Sequence, residues 1–476
     1  MGYLLGFSLA EAAIQYVYAR PFAPRSDLPM VRSLLQLTLG PMGPWSDRLA
    51  PLLVALLFVA FFVLGVLIVH TVARGLPEMQ RRRRGVLVAT LVLVGTVVLS
   101  PAAAALVPQA IAAWGYSGRL TVRPLELEFE TPAASSPADG ATITEPLAFP
   151  GLLDRDIYVF AVEAYGYATV SQPHISGELD PHRRAFHAAL EQQGYQVASS
   201  FLRSPVAGGF SWLAEATFLT GQWIDSQTAF EELYNADLPS LSGVLQRGGY
   251  HTFTVRPGTV HGSWPEGWDL YRFEDALVAY DGDFGFQGPW FSYVPVTDQY
   301  AIWRAHRYLQ EATAPGGTAA DRPFLAYYQL VSSHTPFNAI PPLIDDWDQL
   351  GDGSIYHRRN AEIQTFDNTW TGGTELVEGY TAAISYVFDT MTAYINHHMD
   401  FERSPIIIVF GDHQAQRPIR EQNAHLSVPI HIATADAEVL QRFIDRGFEP
   451  GMVSSQAPPH RDMSDFFPLF LDIARD

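Results

Sequence analysis

Hydrophobic positions fall into two regimes along the chain. In the first quarter, "PLLVALLFVAFFVLGVLIV" (51–69) carries no charge over 19 positions, and "GVLVATLVLVGTVVLSPAAAALV" (85–107) none over 23. About 20 apolar residues cross the hydrocarbon core of a bilayer, so this pattern predicts two membrane spans, about 51–72 and 85–107. Between them lies "RGLPEMQRRRRG", with Arg81 to Arg84 consecutive. An arginine excess in a short loop places that loop in the cytoplasm. The second span then runs outward, and everything after about residue 110 is expected outside the cytoplasm. The preceding "YLLGFSLAEAAIQYVYA" is broken by Glu11 and followed by Arg20, Arg25 and Arg32. It reads as a short third span, an interfacial helix or part of a larger bundle.

From about residue 150 the apolar runs become short. "RDIYVFAVEAYG" (155–166) ends in Glu163, Tyr165 and Gly166, and "RPFLAYYQLVSSHTPF" (322–337) leads into His334. "SPIIIVFGDHQ" (404–414) ends in Gly411, Asp412 and His413. Each run reads as a fully buried parallel strand. Helical stretches alternate with them, for example the one before "GGY" at 248–250. The alternation predicts a doubly wound α/β sheet with helices on both faces. In such sheets ligands gather at the carboxyl ends of the strands, where Glu163, His334, Asp412 and His413 all fall. The domain map is therefore a membrane region over 1–115, a linker over 116–149 and one large domain over 150–476. The linker's part at 127–148 is rich in Pro, Ala, Ser and Thr and has no helical period.

Charge sharpens this division. Up to residue 125 there are eleven Arg against four acids; the remainder holds nineteen Arg against forty-six acids, a net of −27. A domain so acidic has no basic footprint to displace phosphate counterions, which argues against nucleic acid as a partner. The chain has no cysteine, which removes disulfides, thiolate metal sites and a cysteine nucleophile.

Alone, an acid after a strand is a turn residue or helix cap, and Asp-His can form an Asx turn. Three strands ending this way in one chain suggest more. Two carboxylates and an imidazole suit one divalent cation, Mn²⁺ or Zn²⁺ ahead of Mg²⁺. The natural fourth ligand is a nucleophile, and "GFSWLAEATFLTG" (209–221) offers Ser211 at the mouth of a predicted helix. Ser211 reads either as a helix N-cap or as a nucleophile whose pKa a metal lowers. Ser204 and Thr217 are the neighbouring alternative hydroxyls.

Taken in order, "VFAVEAYG", "GFSWLAEATFLTG", "SSHTPF", "VFGDHQ" and "HLSVP" resemble the sulfatase branch of the alkaline phosphatase superfamily over about residues 150–435. Within it the chain is most similar to lipoteichoic acid synthases and lipid A phosphoethanolamine transferases, which also join a membrane bundle to an outward-facing catalytic domain. The resemblance implies an alkaline-phosphatase-like sheet, with Glu163, Ser211, Asp412 and His413 as metal ligands and Ser211 as the nucleophile. It implies substrate-facing roles for His334, in the Ser-His-x-Pro-Phe type of segment, and for His425, in His-x-x-Val-Pro. His261, in "RPGTVHGSW", is a further substrate-contact candidate. Ser211 stands nine residues before Thr220-Gly221, where sulfatases place the residue converted to formylglycine. Sulfatases follow that residue with x-Pro/Ala-x-Arg, whereas Leu213 and Glu215 stand here. The resemblance thus implies the fold of a sulfatase without its reaction.

The expectation is a multi-pass cell-membrane enzyme whose external domain transfers or hydrolyses phosphate esters of a lipid or cell-envelope donor through a covalent serine. Its partners are then the bilayer and that ester. The rival readings are a sulfuric ester hydrolase and a non-catalytic membrane sensor or scaffold.

Overall fold

A computed structural model describes residues 147–476, apart from 153, 260–264, 280–281, 292–293, 370–371, 421–425 and 454–460. The two predicted spans, the segment before them and most of the linker lie outside the described residues. Among the described residues no helix is long and apolar enough to cross a membrane.

The principal elements alternate as the hydrophobic pattern implies. They are β1 (Ile157–Val162), α1 (Pro173–Gln192), β2 (Gln196–Arg203), α2 (Ser211–Thr220), α3 (Leu241–Arg247), β3 (His251–Arg256) and β4 (Asp275–Val278). Then come α4 (Asp298–Thr313), β5 (Phe324–Leu330), α5 (Leu376–His397), β6 (Ile406–Gly411) and β7 (Ser427–Thr434). The chain closes with α6 (Ala437–Asp445), β8 (Glu449–Pro450), β9 (Arg461–Asp462) and α7 (Phe466–Arg475).

One sheet takes all nine strands in the order β8-β2-β7-β6-β1-β5-β3-β4, with β9 on β2. The three strands read from the sequence are neighbours at its centre. β1 pairs in parallel with β6 on one side and β5 on the other, Val162 lying opposite Gly411 and Leu330. Every residue of β1 and β6 is buried, which is why both read as unbroken apolar runs.

The sheet is mixed rather than wholly parallel. β7 runs antiparallel to both β6 and β2. It returns beside β6 with no intervening crossover helix among the described residues, and a strand that re-enters next to its predecessor that way must reverse direction.

Alternate residues of the central strands serve opposite faces. Tyr158, Phe160 and Val162 of β1, with Ile407 and Val409 of β6, join a core built with α1, α4 and α5. Buried residues of α5 recur at Leu376, Gly379, Tyr380, Ala383, Ile384, Val387, Phe388 and Met391, the stripe an amphipathic helix lays on a sheet. On the other face Phe218 of α2 stacks on Phe410 of β6 with ring centroids 3.9 Å apart, and on Phe466 of α7 at 4.6 Å. The helix that begins at Ser211 is thereby fixed against the strand that leads into Asp412. Helices cover both faces, as the alternation of strands and helices predicts.

Candidate active site

Each strand end is turned toward a common point by local backbone chemistry. Glu163 is the first residue beyond β1; its N–H donates to the Leu330 carbonyl (3.0 Å), and its own carbonyl accepts from Ser333 Oγ (2.6 Å). Ala164 then adopts φ 57°, turning the chain sharply. At the end of β6, Gly411 is obligatory: a Cβ there would lie 1.8 Å from the Tyr165 carbonyl oxygen. That close approach lets the two strand exits interlock. Asp412 Oδ1 accepts from Ala164 N (2.8 Å) and His413 N (2.6 Å).

His413 Nδ1 lies 2.9 Å from the Gln414 carbonyl. A carbonyl only accepts, so Nδ1 carries the proton, and in the neutral ring Nε2 holds the lone pair. Nε2 is 3.1 Å from Glu163 Oε1 and 3.7 Å from Asp412 Oδ2.

Ser211 reaches the same point through the loop before α2. Gly208 and Gly209 have φ of 72° and 140°, and Gly208 N donates to the Gln414 carbonyl at 2.7 Å. Phe210, left-handed at φ 67°, occupies the N-cap position, so Ser211 is the first helical residue and does not cap. Its hydroxyl instead donates to Glu163 Oε2 at 2.8 Å and lies 3.2 Å from His413 Nε2.

The alternative hydroxyls are engaged elsewhere. Ser204 Oγ donates to the Asp412 carbonyl (2.7 Å), and Thr217 Oγ1 donates to Leu213 O (2.8 Å) while accepting from Ile224 N (3.0 Å). Both side chains are fully buried.

Glu163, Asp412 and His413 are buried and present donor atoms that all lie within 4.8 Å of one another. Burial opposes ionisation of Glu163, yet His413, and after it His334, hold its carboxyl below the ordinary range. Burial and the adjacent Glu163 charge push Asp412 up. Burial also opposes a charge on His413, but Asp412 and Glu163 outweigh it and raise the ring to about 9. Two carboxylates balanced by one imidazolium are the charge pattern that a divalent cation satisfies once it displaces that proton. The donor set therefore fits a hard or borderline dication, Mn²⁺, Zn²⁺ or Mg²⁺.

His334 is half-buried on the turn after β5, its Nδ1 2.7 Å from the Thr335 carbonyl, and its charge is felt at Glu163. The structure thus brings Glu163, Ser211, Asp412 and His413 into direct contact and sets His334 beside them. His261 and His425 lie outside the described residues.

Sequence reasoning did not give Glu215 a role. It sits one helical turn beyond Ser211 and pairs with Arg256, the last residue of β3, through both carboxylate oxygens; Nη2 to Oε2 is 2.9 Å. An acid inside an Ala/Leu/Phe-rich helix was the available signal, because such a group stays buried only with a partner.

No protein-family model matches the chain, and no curated protein matches it in sequence. Among solved structures, several are similar to the chain at low identity. The lipoteichoic acid synthase LtaP of Listeria monocytogenes is 15% identical, with 67% of this chain and 72% of that one covered and a TM-score of 0.38. The C-terminal periplasmic domain of EptC from Escherichia coli, in complex with zinc, is 13% identical over 67% and 82%, with a TM-score of 0.41. The Streptococcus pyogenes phosphoglycerol transferase GacH, in complex with sn-glycerol-1-phosphate, is 10% identical over 68% and 87%, with a TM-score of 0.37.

Proposed function

We propose that this chain is a membrane-anchored, metal-dependent enzyme that transfers or hydrolyses phosphate esters through a covalent intermediate on Ser211. The observation that carries the reading is the position of Ser211 Oγ, 2.8 Å from Glu163 Oε2 and 3.2 Å from His413 Nε2, where buried ligands of three chain segments converge. A serine held only as a helix cap has no reason to face a carboxylate and an imidazole on two other segments.

Glu163, Asp412, His413 and Ser211 would hold one divalent cation. When bound, that ion lowers the pKa of the serine and offsets charge on the oxygens of the transferred group. Ser211 Oγ attacks phosphorus; a P–O bond to serine forms as the P–O bond to the leaving alcohol breaks, and the serine proton departs toward Glu163 Oε2, the acceptor it already faces. His334 binds the oxygens that gain charge. His425 protonates the leaving oxygen, and His261 contacts the substrate. Water or an acceptor hydroxyl then attacks the phosphoserine and restores Ser211. The 51–72 and 85–107 spans would keep this centre next to a lipid or cell-envelope donor outside the cytoplasm.

Sulfuric ester hydrolysis by a converted serine is disfavoured by what Leu213 and Glu215 do. Leu213 and Glu215 stand where that signal carries Pro/Ala and Arg; in the fold Leu213 is fully buried and Glu215 pairs with Arg256.

The test is incubation of the full chain, purified in detergent, with phospholipids and with nitrophenyl phosphate mono-, di- and sulfate esters under Mn²⁺, Zn²⁺ and Mg²⁺. Phosphodiester or phospholipid turnover is expected, with a phospho-adduct mapping to Ser211 and no adduct in Ser211→Ala. Turnover of the sulfate ester alone, or an adduct on Thr217, would overturn the reading.

A further inference from the structure

We propose that Asp298 is a positioning residue for the Ser211 centre: its carboxylate clamps the turn that leaves β5, and that turn, through Ser333, holds Glu163 in place. The proposal rests on the reading of the centre as a metal-assisted phosphate-ester site. An acid in the first turn of a helix ordinarily complements that helix's own free N–H groups. Asp298 opens α4 but does otherwise. Thr297 caps the helix, its Oγ1 accepting from Tyr300 N at 3.3 Å, which leaves the Asp298 carboxylate for another segment. Oδ1 accepts from Val331 N (2.8 Å) and Ser332 N (3.2 Å), and Oδ2 from Ser332 N (3.1 Å). The contact is reciprocal, since Asp298 N donates to Ser332 Oγ at 3.0 Å. Asp298 is fully buried, so water cannot substitute for these bonds.

The clamped residues run straight into the site. Ser333, also fully buried, donates Oγ–H to the Glu163 carbonyl at 2.6 Å, while Glu163 N donates to Leu330 O at 3.0 Å. Both main-chain polar groups of Glu163 are therefore held by residues on either side of the clamped pair. The next residue is His334, whose N–H closes the turn onto Val331 O at 3.0 Å. One buried carboxylate thus fixes the stretch that supports Glu163 from behind and presents His334 from the side. Groups that orient a metal ligand in this way change metal affinity or rate by about 10–100-fold when removed.

Two substitutions in the full chain test this. Asp298→Asn keeps volume but sets an amide donor against a backbone donor; Ser333→Ala removes only the strut to Glu163 and leaves the clamp. Zn²⁺ affinity is read by chelator competition, kcat and KM on bis-nitrophenyl phosphate, and folding by circular dichroism at the assay temperature. The expected result for both variants is a Zn²⁺ Kd about 10-fold weaker and a kcat about 10–100-fold lower, with KM changed less than about threefold. If Asp298 serves the fold alone, its variant melts earlier but keeps the wild-type Kd and kcat when folded, and the proposal falls. If Asp298→Asn does not fold, Ser333→Ala decides: a Zn²⁺ Kd within twofold of wild type overturns the strut. A wild type that binds Zn²⁺ but turns over no phosphate ester sinks the proposed activity, while the Kd comparison still judges Asp298.

Discussion

The ion pair beneath the serine helix gives the sharpest energetic prediction. Glu215 and Arg256 side chains are 5% and 4% exposed and meet through two parallel contacts. Burial opposes a charge on Arg256, but Glu215 outweighs it and keeps the guanidinium pKa above its ordinary value. Glu215→Gln therefore takes from a buried cation the carboxylate it meets. At an effective dielectric near 20, two unit charges ~4 Å apart attract by about 4 kcal/mol. Removing one member of a buried pair costs about 3–5 kcal/mol, a large share of a total stability of about 5–15 kcal/mol. The double replacement Glu215→Leu with Arg256→Met removes both charges and both desolvation costs, and is expected to recover to within about 2 kcal/mol of wild type. Denaturant titration followed by tryptophan fluorescence, arranged as a double-mutant cycle, measures the coupling. A Glu215→Gln cost below about 1 kcal/mol, or a double variant no better than the worse single one, would refute the account. Glu215 lies four residues after Ser211 and so shares its helix face, which means the single variant should also slow turnover by shifting Ser211 off the ligand cluster.

Three further outcomes are expected. Ser211→Thr keeps a hydroxyl at the position and is expected to retain measurable turnover where Ser211→Ala shows none, and Thr217→Ala should be mild in rate; an active Ser211→Ala enzyme refutes the assignment. Burial raises Asp156 to about 7 against the pull of its hydrogen bond from Phe324 N, so the folded state holds a proton that the unfolded state releases between about pH 3.8 and 7. Stability contributed there is present below pH 3.8 and lost as pH rises, by at most ~4 kcal/mol. Asp156→Asn should then raise Tm at pH 8 and not at pH 4, and equal Tm gains at both values would contradict the shift. A reporter active only outside the cytoplasm, fused after residue 476, should give signal; signal from a cytoplasmic reporter alone would reverse the orientation expected from Arg81 to Arg84.

What the sequence disclosed was whatever leaves a local trace. β1, β5 and β6 are buried on both faces, so their apolar runs stand out, and their ends mark where Glu163, His334, Asp412 and His413 emerge. The end of the serine helix was equally legible: Gly221, in left-handed conformation at φ 68°, follows Thr220 directly. Its start was not. Phe210 holds a positive φ that its residue type disfavours, and only the tertiary fit imposes it.

Strand β7 was hidden for a related reason. Pro429 argues against a central strand, yet it lies one residue past the last pairing with β6, which ends at Ile430 opposite Phe410. The missing N–H costs no ladder bond on that side, and the strand tolerates a residue that sequence patterns penalise. Asp298 and Glu215 show the same limit in side chains. Each sits in a helix at a position with an ordinary local explanation, a dipole-complementing acid and a helix-favouring Glu, while its partner lies more than thirty residues away. Burial makes such a carboxylate bind strongly to one distant partner, and a partner chosen by the fold leaves no period, spacing or composition in the chain. Glu163, His334, Asp412 and His413 were therefore readable because strand ends announce them, and Ser211 because two glycines precede its helix. The groups that hold them there were not, because they act across the sheet rather than along the chain.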